Sequence, residues 1–136
     1  MASSIPRPDE RSDARERALY LLYEAHSKGI APTDALALQV LEPDEMTSDL
    51  VTGVQEHRAH LDEAISARAR GWTLDRMPVI DLNVLRIAAY ELSEKPDVPV
   101  AVVLDEAVEL AKRFSTDDSP RFVNGVLSAV AEDLRQ

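Results

Sequence analysis

Positions 117–127 read DDSPRFVNGVL: two acids, a Ser-Pro step, an Arg-Phe pair, then an apolar run broken by Asn124 and Gly125. Ser119 and Pro120 mark a helix start. The hydroxyl can accept from a free backbone N–H, and proline loses nothing at the first helical position. Asp117, Asp118, Arg121, Phe122 and Asn124 carry more chemistry than a cap needs. Within the helix that follows, Val123, Val126 and Leu127 are expected in the core, and Gly125 is expected at a close helix contact.

Other groups invite a chemical reading and a plainer one. His57 and His60 lie three apart, beside Glu56 and Asp62, but lack a second half for a metal site; a seam or surface place suits them better. Asp105, Glu106 and Glu109 could work as acid and base only if burial separated their pKa values. A solvated helix face, with Glu109 and Arg113 paired four apart, is the simpler account. Arg86 stands inside the apolar NVLRIAAYEL and needs a partner. Either Asp81 or Glu91 serves it, or Asp81, Arg86 and Tyr90 border one binding surface. Tyr20 and Tyr23 are amphipathic anchors at a core edge. Arg7, Arg11, Arg15 and Arg17 line the start of the first helix, with Arg11 and Arg15 on one face: spacing alone favours an ordinary charged surface helix over a phosphate-contact row. Asp9, Glu10, Asp13 and Glu16 are interleaved with them. No cysteine exists, which excludes disulfides and thiol chemistry, and four glycines build no phosphate loop. These residues define no active site, and no cofactor is expected. A binding adaptor fits them better than an enzyme with a cryptic site.

The elements that must hold these groups are helices. Eight prolines sit where helices should start or stop, and apolar spacing between them is helical rather than alternating. The first helix runs from a cap at Asp13 through Ser27, ending at Gly29, with Ala18, Leu22 and Ala25 inward. A short helix is expected over about Thr33–Leu41 and a long one over about Thr47–Arg70, with the stripe Leu50, Val54, Leu61 and Ile65 and with His57 on its seam. WTLDRMP is a turn. Helices follow over Val79–Ser93, Val100–Phe114 and Pro120–Leu134. VAVVL alone would pass for a strand, but DEAVELAKRF continues it without a turn. The fold class is all-α, a compact helical bundle. Residues 1–10 read as a mobile tail and 11–136 as a single domain.

The 136 residues carry a net charge of -10. That argues against nonspecific coating of nucleic acid. The charge is uneven: residues 1–30 are neutral, with five bases and five acids, and the rest carry the whole excess. Any anionic partner would favour the N-terminal end. No apolar run reaches membrane length and no secretory signal is evident, so the cytoplasm is the expected location and no membrane contact is expected.

ARERALYLLYE, LVTGVQEHRAHLDEAI, RGWTLDRMPVIDLNVLRIAAYEL and DVPVAVVLDEAVELAKRFSTDDSPRFVNGVL, in this order and spacing, closely resemble the NusB family of transcription antitermination factors over about residues 11–130. The resemblance implies about seven helices in two packed sub-bundles and a non-catalytic role. It implies pairing with the ribosomal protein NusE, binding of the single-stranded leader element boxA, and assembly with NusA, NusG and RNA polymerase, notably on ribosomal RNA operons. It assigns RNA contacts to an arginine-rich N-terminal segment, here Arg7, Arg11, Arg15 and Arg17, with Ser12 and Asp13 where many relatives carry arginine. Asp118, Arg121 and Phe122 fall in the region beside the RNA, where a ring can stack on an unpaired base. Tyr23, Asp81 and, next to them, Arg86 fall on the partner face. Asp105 stands where many relatives have asparagine. A related domain is fused to RNA methyltransferases, but no segment here suits such a catalytic domain. Some relatives self-associate, so a homodimeric adaptor with weak RNA binding is the alternative.

Overall fold

The computed structural model describes residues 8–135; Arg7 and most of the expected tail lie outside them. Seven α-helices follow one another: α1 (Pro8–Lys28), α2 (Pro32–Ala37), α3 (Glu45–Glu56), α4 (Arg58–Arg68), α5 (Val79–Glu94), α6 (Val100–Phe114) and α7 (Ser119–Leu134). A single 3-10 turn, Leu74–Arg76, separates α4 from α5. VAVVL is helical, as its continuation predicts.

Helix α1 begins five residues before the expected cap at Asp13. Asp9 and Glu10, in its first described turn, favour the positive end of the helix dipole. It ends as predicted at Gly29, whose φ is 67°. There the Ile30 N–H reaches back to the Ala25 carbonyl at 3.0 Å, which satisfies a terminal acceptor. Helix α2 stops at Ala37 rather than Leu41, leaving Leu38, Val40 and Leu41 exposed in the loop.

The long helix expected over 47–70 is two helices. His57 departs from helical geometry, with φ -103° and ψ 11°. Its N–H still donates to the Gly53 carbonyl, and its carbonyl accepts from the Leu61 N–H. His57 thus closes α3 and opens α4, tied to the last turn of one and the first turn of the other. A straight helix of that length would span about 36 Å. The turn lets α3 lie on α1 while α4 lies on α5 and α7.

Helices α1, α2 and α3 pack together, as do α4, α5, α6 and α7; α5 also meets α1 and α3. This is the two-sub-bundle arrangement, with α5 as the shared element. Its residues Asp81–Leu92 are all buried, so it presents no solvent face. The close helix contact falls at Gly53, not Gly125. A Cβ at Gly53 would lie 2.1 Å from the Tyr90 ring, whereas one at Gly125 meets nothing. Among the described residues no helix is long and apolar enough to cross a membrane.

Candidate nucleic-acid interface

The burial of α5 decides the fate of its polar side chains. Asp81 is 2% exposed. It accepts from Ser119 Oγ at 2.9 Å and from Ser115 Oγ. Ser119, also buried, accepts from the Thr116 N–H at 3.2 Å. The predicted cap hydroxyl thus serves the corner between α6 and α7 instead of its own helix. A carboxylate from α5 pins that corner, and so sets the position of α7.

Arg86 is buried as well. Its Nε and Nη2 donate to the two Asp62 oxygens at 2.8 and 3.0 Å. Neither Glu91 nor Asp81 is its partner. Both lie five residues away, about 140° around a helix, so they face elsewhere. This corrects the placement of Asp81 and Arg86 on an open partner face: both are committed to internal contacts. Tyr23, by contrast, is 46% exposed. Tyr20 beside it is open too, and meets Phe114 edge-on with ring centroids 5.5 Å apart.

The arginine row also divides. Arg15 is 1% exposed. It grips Glu91 with two hydrogen bonds, at 2.9 and 2.8 Å, and Glu106 with a third at 2.8 Å. Burial disfavours its charge, but Glu91 and then Glu106 outweigh that, and its pKa lies above the ordinary arginine value. Its guanidinium is therefore an internal clasp between α1, α5 and α6, which corrects its place in a phosphate-contact row. The reason is register: Arg15 lies between Ala14 and Ala18, both buried. Glu106 leaves the proposed acidic face to join this clasp. Arg113 pairs with Glu16 on α1 at 2.6 Å rather than with Glu109.

Arg11 and Arg17 remain at the surface. They line a groove of about 690 Å³ between the starts of α1 and α3 and the end of α5, together with Lys95 and several acids. Arg17 pairs with Asp44 at 2.7 Å. Asp44 also caps α3 by accepting from the Thr47 N–H at 3.1 Å. Burial works against the Asp44 charge, but the Thr47 hydrogen bonds and the Arg17 charge together hold its carboxyl below the usual range.

At the start of α7, Asp117, Asp118 and Arg121 are exposed, while Phe122 is half-buried. Trp72 covers Phe122 at 5.8 Å between ring centroids and is 50% exposed. Sequence reasoning passed over Trp72 as part of a turn. Its signal was a large aromatic in a polar turn just after Gly71. Also missed was Arg135. It donates to the carbonyls of Leu92 at 2.8 Å and Lys95 at 2.7 Å, closing the end of α5. His57 lies in the seam against Tyr90 with ring centroids 5.5 Å apart, and His60 is exposed. No group of three or more metal-ligating side chains gathers among the described residues.

Fold and site together define a class: an all-α protein of two joined sub-bundles, whose distinctive features are contact surfaces. The family model described as the NusB family matches residues 12–132, and the chain belongs to that family. It is 46% identical over 130 residues to the transcription antitermination protein NusB of Thermobifida fusca (strain YX), covering 93% of this chain and 92% of that protein. Among solved structures it resembles T. maritima NusB, with a TM-score of 0.84 and 31% identity over 98% of this chain and 96% of that one. It also resembles a chain in the crystal structure of antitermination factors NusB and NusE in complex with dsRNA. There the TM-score is 0.78 and the identity 25%, over 90% of this chain and 96% of that one.

Proposed function

We propose that this protein is a transcription antitermination factor. With the ribosomal protein NusE it binds a boxA-type single-stranded leader RNA and joins RNA polymerase with NusA and NusG, notably on ribosomal RNA operons. The observation that carries this reading is the family match across residues 12–132, supported by the fold it shares with NusB structures. The protein acts by binding, in the cytoplasm, and not as an enzyme.

On this reading RNA runs along the start of α7, over exposed Asp118 and Arg121 and half-buried Phe122, and along Arg11 and Arg17 at the mouth of the groove. Arg7, outside the described residues, is proposed as part of the same RNA-binding segment. Tyr23 contributes directly to the partner face, whereas Asp81 and Arg86 support it from within by holding the helices in place. A chain with net charge -10 repels RNA at long range. A basic partner offsets that repulsion and steers the encounter.

The test is a titration of labelled boxA-type RNA with this protein, alone and with NusE, against a scrambled RNA of equal length. The pair should bind the boxA sequence more tightly than either the scrambled RNA or the protein alone binds. Equal affinity of the pair for both RNAs rejects the proposal.

A further inference from the structure

Most cations of this acidic chain are occupied. Arg15, Arg17, Lys28, Arg58, Arg68, Arg86, Lys95 and Arg113 all sit in ion pairs. Arg70, Arg76 and Arg121 are exposed, and they form no ion pair or side-chain hydrogen bond among the described residues. These three share a neighbourhood in the chain. Arg70 and Arg76 flank Trp72 in the segment between α4 and α5, and Arg121 precedes Phe122. The contact between Trp72 and Phe122 joins the two segments.

Trp72 itself needs an explanation. It is the sole tryptophan, and half of it faces solvent. The chain reaches it through Gly71, whose φ of 78° is a conformation that favours glycine. The Trp72 N–H returns to the Ala69 carbonyl at 3.1 Å, which ties the turn down. A fixed turn therefore holds a large, half-exposed ring against Phe122, at 60° to it. Ordered, partly exposed rings beside unpaired guanidinium groups are the two components of sequence-tolerant binding to single strands. Asp75, Asp117 and Asp118 are exposed in the same segments. Their charges disfavour general anion binding there.

We propose that Trp72 and Phe122 form a two-ring platform for unpaired bases, with Arg70, Arg76 and Arg121 taking the adjacent phosphates. The ligand class is single-stranded nucleic acid. The proposal rests on the RNA-binding reading above and extends the RNA path from α7 onto the segment between α4 and α5.

The single tryptophan supplies the test. BoxA-type RNA is titrated into the complex with NusE, following tryptophan emission and, separately, the anisotropy of a labelled RNA. The same titration with Trp72→Phe identifies the part of the emission that belongs to Trp72. Emission from Trp72 should be quenched with the same midpoint as the anisotropy change. Trp72→Ala should weaken binding about tenfold, while Trp72→Phe keeps most of the affinity. Arg70→Gln with Arg76→Gln should weaken binding and flatten its dependence on salt. Thermal unfolding of each variant separates lost contacts from lost fold. RNA binding with unchanged Trp72 emission and unchanged Trp72→Ala affinity overturns the platform and leaves the RNA-binding reading standing. A lower melting temperature for Trp72→Ala with unchanged affinity makes Trp72 a lid over the core and likewise overturns it. Failure of the unaltered complex to distinguish boxA-type from scrambled RNA overturns the parent reading, and absence of any RNA binding overturns both.

Discussion

Arg15 illustrates how far a residue's role depends on its surroundings. Its sequence neighbours suggest a phosphate contact, yet its three hydrogen bonds run to Glu91 and Glu106 inside the molecule. A buried charge that loses its partner is left without compensation, at a cost of about 3–5 kcal/mol. Glu91→Ala should therefore destabilise the protein by about that amount in urea unfolding. Glu106→Ala should cost less, because the Glu106 side chain is 23% exposed and water can replace it. Arg15→Gln should likewise act on stability before it acts on RNA affinity. Near-normal stability of Glu91→Ala would show that the clasp does not hold α1 to α5. Asp81, Arg86 and Tyr90 follow the same logic on α5. Each has a partner on another helix: Ser119, Asp62 and Asp49 respectively. Among the described residues no buried side-chain polar atom lacks one.

At the scale of elements, two glycines within helices have opposite meanings. Gly53 on α3 lets the Tyr90 ring of α5 touch the backbone of its neighbour, and a methyl group there collides with the ring. Gly53→Ala should cost about 1–3 kcal/mol through overpacking. Gly125 on α7 is exposed, and a methyl group there meets nothing. Gly125→Ala should gain about 0.5–1 kcal/mol, since glycine carries an entropic penalty in a helix interior. Chemical denaturation of the two variants side by side decides the matter. Equal effects would mean that the α3–α5 contact is looser than described. The turn at His57 belongs to this scale too. No proline stands at it, and His57 is both the end of α3 and the start of α4.

For the whole molecule, α5 is the element both sub-bundles share, and it is bonded to each. Arg15 and Asp49 reach it from the first; Asp62 and Ser119 reach it from the second. Neither sub-bundle can release α5 without exposing its apolar residues and stranding its charges. A single cooperative transition follows. Far-ultraviolet circular dichroism reports all seven helices, and Trp72 emission reports the second sub-bundle. The two curves should coincide in urea, and separated midpoints would show that the sub-bundles unfold independently.

The all-helical class, the starts of α5, α6 and α7, and the stop at Gly29 were legible in the sequence. Each rests on local chemistry: apolar spacing, proline at a first turn, glycine at a last one. The motif order likewise pointed to the family that residues 12–132 match. Which polar residues face outward was not legible. Arg15 reads as surface chemistry, Arg86 as needing a partner that the sequence does not name, and the partners of Arg15, Asp81 and Arg86 lie 76, 38 and 24 residues away in the chain. Trp72 looked like part of a turn until the fold set it against Phe122. Local sequence determined where helices form, because backbone and first-turn interactions span only a few residues. The tertiary structure alone decided which charges are clasped inside and which stay at the surface, because that depends on what the packing of α5 brings within hydrogen-bond distance.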